Sequence, residues 1–249
     1  MLSVNPAFEK FLLIHGFRDF ESFWEAGNLF KAKKKRAIYK FQLEGKNFFV
    51  KKYFSLPLIG KTEAFNEWAA AKNLSKEGFR VPTPVAFGIR RQGLRRQAFT
   101  VFLEAEGKRL EDIFRQQKEK ASRLVVPLAT FAARFHRFGF SHQDFYLCHI
   151  FWDEKSFVLI DLQRVRHRRR PPLSWLVKDI AQLFYAAQGV LGEDFEVFFR
   201  KFKPVYTQQV GRTLGEGFWC KVERKLTKIA RHDAKLRGKG SSFKRNGRK

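Results

Sequence analysis

Two short stretches of this 249-residue chain hold residues whose types and spacing suit phosphoryl transfer. The first, Ser141-His142-Gln143-Asp144-Phe145-Tyr146-Leu147-Cys148-His149, is an H-x-D sequence with a potential metal ligand five residues after the Asp. The second, Leu159-Ile160-Asp161-Leu162-Gln163, sets an acid at the end of an apolar, β-branched run. Carboxylates at this separation can face one phosphoryl group from opposite sides. Asp144 is then the catalytic group that orients the acceptor hydroxyl and takes its proton, and Asp161 the acid that binds Mg²⁺ through hard oxygen ligands. Taken singly, each has a plainer reading. Asp144 could be a buried Asp accepting backbone donors, and Asp161 a turn-forming Asp after a strand.

Order along the chain strengthens the pair. Lys51 ends the run Asn47-Phe48-Phe49-Val50, where a lysine can reach the α and β phosphates of ATP, and Lys52 competes with it for that role. A Glu on the following helix would fix the ammonium. Glu67 is the first choice and Glu63, one turn earlier, the alternative. His149 stands at the second metal-ligand position. Imidazole is a poorer Mg²⁺ ligand than oxygen, which points His149 toward hydrogen bonding with Asp161 or a nucleotide phosphate. His142 reads as a brace for the loop. No G-x-G-x-x-G separates the first two strands, so the basic turn of Lys33, Lys34, Lys35 and Arg36 could supply charge where backbone contact is lacking. D-F-G and A-P-E are also missing, which weighs against a regulated protein kinase.

The elements that must position these residues form a recognisable series. Phe8, Phe11, Leu12 and His15 recur at helical spacing. Strands are expected over 24–30, 37–43 and 47–53, with Glu44-Gly45-Lys46 as a tight turn. A helix follows over 62–76, stopped by Gly78, and then strands over 85–89 and 98–103. This β-β-β-α-β-β order, with a hinge at Glu104–Gly107, predicts an α+β, bilobal, protein-kinase-like fold. Its small β-rich N-lobe, with a helical extension at the front, spans 1–103, and its larger helical C-lobe spans 104–236. Apolar stripes over 124–138, 175–187 and 195–202 supply the C-lobe helices. From 237 to 249 the chain is basic, with little to bury, and reads as a disordered tail.

Composition narrows the partners. With 50 Lys and Arg against 24 Asp and Glu, the formal charge is +26, which draws the chain to polyanions such as nucleic acid, an anionic membrane face or phosphorylated glycolipid. No reading module stands out that would make nucleic acid a specific partner. No run is long and apolar enough to cross a bilayer, no secretory signal is legible, and Cys148 and Cys220 suit reduced thiols in the cytosol. The 30 Phe residues predict an aromatic-rich interior.

The chain resembles the lipopolysaccharide kinase (Kdo/WaaP) family, and most closely its branch of core heptose(I) kinases. The resemblance runs from about Gly45 to Arg200. It is carried by Phe48-Phe49-Val50-Lys51, Asn66-Glu67-Trp68, Pro84-Val85-Ala86-Phe87-Gly88, His142 to His149, Ile160-Asp161-Leu162-Gln163-Arg164 and Lys178-Asp179. It implies transfer of the ATP γ-phosphate to a sugar hydroxyl of the inner core, with heptose the first choice, at the cytoplasmic face of the inner membrane. It also implies Asp144 as catalytic, Asp161 as metal ligand, Lys51 with Glu67 as the nucleotide-positioning pair, and Asp179 as a conformational support. Gln143 stands where the family leads one to expect Arg, and Gln163 where it leads one to expect His. Arg164, Arg166, Arg168, Arg169 and Arg170 could clamp the carboxylates and phosphates of the core. The rival readings are a non-catalytic kinase-like binder of anionic glycolipid or nucleic acid, a Kdo kinase and a protein kinase.

Overall fold

The structure, a computed structural model, describes residues 1–245, with side chains through Leu236. The chain divides into two compact units. Met1–Gly107 and Phe151–Val165 form the first, and Lys108–Ile150 with the chain from Arg166 onward forms the second.

The first unit opens with strand β1 (Leu2–Val4), helix α1 (Pro6–Ile14) and the short helix α2 (Phe20–Glu25). Strands β2 (Asn28–Lys33), β3 (Arg36–Leu43) and β4 (Lys46–Leu56) lead to helix α3 (Glu63–Lys76). Strands β5 (Pro84–Gln92) and β6 (Arg95–Leu103) follow. The six strands make one antiparallel sheet in the order β1-β5-β6-β4-β3-β2. Glu44 and Gly45 both have positive φ (45° and 74°), the backbone that a two-residue turn between twisted strands requires.

Alternation along β4 divides its side chains between two layers. Phe48 and Val50 join Leu12, Phe23, Phe99 and Val101 beneath α1 and α2. Tyr53 faces the other way and packs with Ala64, Trp68, Phe87 and Ala98 beneath α3. The strand expected over 24–30 is corrected here, because Trp24 lies in α2 and β2 starts only at Asn28. Asp19 caps α2 by accepting from the Ser22 backbone N–H, the Ser22 hydroxyl accepts in return from the Asp19 N–H, and Phe20 and Phe23 lie on one helical face against Phe99. Gly27 then separates helix from strand, with φ +81° and no room for a Cβ beside the Lys40 carbonyl.

The returning segment completes this unit. Its strand Phe157–Leu159 bridges Arg80 through Val158, and the turn Leu162–Arg164 packs on α3. Asp161 therefore belongs with the first unit, whereas the sequence boundaries at 103 and 104 assign it to the C-lobe. The cause is local: the strand and its turn find their packing partners on Arg80 and α3.

The second unit is helical. Helices α4 (Leu110–Gln116) and α5 (Lys118–Arg137) precede the catalytic-loop candidate, and α6 (Leu173–Leu191), α7 (Phe195–Gln209) and α8 (Glu216–Arg245) follow it. Phe184 is surrounded by Phe195, Phe198, Phe202 and Trp219, so the Phe-rich composition does build the interior. Helix α8 runs on past Arg237 to Arg245, where the sequence reads as a disordered tail. Helix-forming Arg, Lys, Ala and Leu residues before that point carry the helix forward. Residues 246–249 lie outside the described residues.

Candidate active site

Strand phase determines which lysine of β4 meets the acids. Lys51 projects on the α3 side, and its Nζ donates to Glu67 Oε1 at 2.8 Å and to Asp161 Oδ1 at 2.6 Å. Burial acts to lower the Lys51 pKa, but the Glu67 and Asp161 carboxylates outweigh it, and the net shift is upward. Glu67 is itself fully engaged, because its Oε2 accepts from Tyr53 Oη at 2.9 Å and from Thr100 Oγ1 at 3.1 Å. Burial, and after it the Glu67 charge, pushes the Tyr53 phenol well above its usual range, so that phenol stays a proton donor. Lys52 points to the opposite face, with its ammonium 3.4 Å from the Tyr39 ring centroid. Glu63 remains exposed and meets Arg36 only at 3.9 Å.

Asp161 reaches this cluster from an unusual backbone. Its φ of 59° and ψ of 55° are left-handed, which turns the chain sharply at the end of Phe157–Leu159. Gln163, two residues on, is buried and holds the turn: its Oε1 accepts from the Arg36 guanidinium and, at 3.5 Å, from Tyr53 Oη. Arg36, considered from sequence as a phosphate contact, is thus engaged by Gln163 and Glu63.

The second unit builds its own constellation around Asp179 of α6. This carboxylate is fully buried. Its Oδ2 accepts from Ser141 Oγ at 2.8 Å and the His142 N–H at 2.7 Å, and its Oδ1 accepts from the Gln143 N–H at 2.8 Å. His136 Nε2 lies 3.2 Å from Oδ2, and the same imidazole meets Tyr206 Oη through Nδ1 at 2.7 Å. Gln143 adopts φ +64°, and its amide reaches Ser141 Oγ and Lys178 Nζ. Gln182 Oε1 accepts from the Phe145 N–H at 3.0 Å, and its Nε2 donates to the Gln143 carbonyl. Asp144 therefore sits between two residues whose backbones are tied to α6, while its own side chain keeps 22% exposure. His149 Nδ1 lies 2.8 Å from the Asp144 carbonyl oxygen and donates to it. Gly139, immediately before the loop, has φ +86°, and a Cβ there would collide with the Arg168 carbonyl.

The structure thus brings Lys51, Glu67 and Asp161 together, and separately brings Asp144 and His149 together. An ordinary signal misses Tyr53, Thr100, His136, Gln182 and Tyr206, because each is an acceptable core or helix residue. Asp179 is the exception, as an acid inside an apolar helical stripe with Ile180, Leu183 and Phe184 around it.

This chain is similar to known proteins. A family model described as the lipopolysaccharide kinase (Kdo/WaaP) family matches residues 24–202. The chain belongs to that family. The lipopolysaccharide core heptose(I) kinase WaaP of Pseudomonas aeruginosa is 27% identical over 194 residues, covering 66% of this chain and 71% of its own length. A WaaP of Escherichia coli is 25% identical over 242 residues, covering 82% and 87%. A solved structure of WaaP in complex with acyl carrier protein superposes with a TM-score of 0.69 at 26% identity, covering 92% of this chain and 99% of that one. The kinase-like fold expected from the order of elements is therefore the fold of this family. Among the described residues, no helix is long and apolar enough to cross a membrane.

Proposed function

We propose that this member of the Kdo/WaaP family is an ATP-dependent kinase that phosphorylates a sugar hydroxyl, with heptose the first choice, of the lipopolysaccharide inner core. The observation that carries the reading is Lys51 held between Glu67 and Asp161. A buried cation shared by two carboxylates is what a nucleotide-positioning lysine needs, because one acid fixes its direction while the other can exchange it for a metal-bound phosphate.

Asp144 orients the acceptor hydroxyl and takes its proton as the oxygen attacks the γ-phosphorus in line. Asp161 would hold Mg²⁺, since a partly exposed carboxylate is a hard oxygen donor and nucleotide phosphates complete such a shell. The ion would neutralise charge on the phosphates. Lys51 contacts the α and β phosphates, and Glu67 keeps its ammonium directed. His149, with Nδ1 donating to the Asp144 carbonyl, steadies the loop on which Asp144 stands. In the second unit Arg166 and Arg168 each lie 5.3 Å from the ring of Trp175, a cation–π contact that gathers both guanidiniums where they can bind the carboxylates and phosphates of the core. The enzyme works in the cytoplasm at the inner face of the bacterial inner membrane, where its positive charge favours anionic lipid.

Transfer of labelled phosphate from ATP to dephosphorylated lipopolysaccharide core tests the reading. Magnesium-dependent labelling that falls about 10²–10⁴-fold in Asp144→Ala is expected. Mapping the labelled sugar separates heptose from Kdo. No transfer, with ATP and acceptor both bound, would overturn it in favour of a non-catalytic binder.

A further inference from the structure

The end of the six-stranded sheet remote from Leu103 gathers three loops. Register puts Arg36 of β3 opposite Tyr53 of β4, and Leu56 of β4 opposite Arg96 of β6. The turn between β2 and β3, the loop after β4 and the hairpin between β5 and β6 therefore lie side by side. Arg96 locks two of them together, with Nε donating to the Pro57 carbonyl at 2.5 Å and Nη2 to the Gly60 carbonyl at 2.8 Å. What these loops present is unusual. Ile59 is 90% exposed and Leu94 81% exposed, each at a loop tip and out of the core. Around them stand exposed Lys33, Lys34 and Lys35 of the basic turn and exposed Lys61, Arg91 and Arg95, while Glu63 lies beside Arg36.

We infer that this loop edge is a membrane-docking surface, in which Ile59 and Leu94 enter the acyl boundary of a bilayer and the surrounding cations bind anionic headgroups. Aliphatic tips ringed by Lys and Arg match both layers of such a surface at once, the apolar boundary and the charged headgroups. Nucleic acid fits less well, because its binding sites add stacking aromatics to the cations and the two tips here are aliphatic. The inference deepens the glycolipid-kinase reading, on which it rests only for its purpose: an acceptor anchored in lipid is reached by an enzyme held at the same surface.

Co-sedimentation of the full chain with sucrose-loaded vesicles tests it without any sugar acceptor. The protein is expected to bind phosphatidylglycerol-containing vesicles and to bind pure phosphatidylcholine weakly. Ile59→Ser/Leu94→Ser, which leaves the charge unchanged, is expected to lower the partition coefficient at least about tenfold, with an unaltered melting temperature and unaltered retention on RNA. Arg91→Gln/Arg95→Gln is expected to flatten the salt dependence of vesicle binding. Equal binding by the serine variant and the parent would overturn the inference, as would equal binding of the parent to neutral and anionic vesicles. Transfer to an acyl-free core oligosaccharide in solution is expected to be the same in the parent and the serine variant. Its absence in both would count against the kinase reading and leave the vesicle result standing.

Discussion

The two units hold their acids by opposite means. In the first, Glu67 and Asp161 share a cation, Lys51, and each of these links can be exchanged for a link to another ion. In the second, Asp179 is held by a serine hydroxyl, an imidazole and two backbone N–H groups, none of which can leave without moving the chain. The first arrangement suits a site that must release one partner to accept a nucleotide. The second suits a scaffold that must not move while Asp144, on the same loop, keeps a partly exposed side chain. An ammonium gives the exchangeable partner, and donors built into the loop and its neighbouring helix give the fixed one.

Removing the fixed acid should therefore damage fold and activity together. Asp179→Ala leaves the Ser141, His142 and Gln143 donors buried without their acceptor, and a loss of about 3–5 kcal/mol is expected. Thermal unfolding would register this as a melting point lower by about ten degrees or more. An Asp179→Ala protein that melts with the parent but transfers no phosphate would break the comparison, because the residue would then be acting on chemistry alone.

Lys51→Met should separate the two properties instead. Glu67 keeps the Tyr53 and Thr100 donors, so the fold is expected to lose only about 1–2 kcal/mol. Phosphate transfer should fall about 10²–10³-fold, since the charge aimed at the phosphates is gone. Measuring kcat and KM for ATP alongside the unfolding curve checks both halves. A stability loss as large as that of Asp179→Ala would mean that the cluster is structural after all.

Much of this architecture is legible in the residues themselves, and the limits have physical causes. The strands β3 and β4 and the helix α3 follow from periodicity and turn chemistry, whereas the H-x-D loop is legible only by its residue types, its shape being set by Asp179 and Gln182 of α6. The choice between Lys51 and Lys52 is not legible, because Phe48, Phe49, Val50 and Tyr53 put apolar residues on both phases of the strand. Glu63 and Glu67 share one helical face, and only the register of α3 against the sheet separates them. Helix α2 is hidden because its Phe and Trp residues also favour strands, and its six residues are too few for a period to declare itself. Gln143 and Gln163, which stand where the resemblance leads one to expect Arg and His, hold the two left-handed turns of the site in place.

The helical pair offers a smaller test. Glu67→Gln keeps the size of the side chain but removes the charge that directs Lys51, and transfer is expected to fall by about tenfold to a hundredfold. Glu63→Gln touches an exposed acid 3.9 Å from Arg36 and should change neither activity nor stability by more than about 0.5 kcal/mol. Parallel kinetics on the two variants would sharpen the assignment, and equal losses would dissolve it.

The smallest effect is the most discriminating, because it compares neighbours on one strand. The Lys51 pKa is raised above 10.5 in the fold, so its contribution to stability is fully present below that pH and is lost as pH rises through the folded value. Lys52 is shifted the other way by burial, against a weaker opposing pull from Glu25. Between its folded pKa and 10.5 the unfolded chain binds more protons at Lys52, and stability rises with pH across that window. Unfolding curves over alkaline pH should therefore drift in opposite directions relative to the parent. The deficit of Lys51→Met should narrow above pH ~10.5 as the parent loses its ion pairs. Lys52→Met, within about 1 kcal/mol of the parent at neutral pH, should fall further behind as the parent sheds its buried charge. Parallel drifts would mean that the two lysines share one environment, which the alternation of β4 forbids.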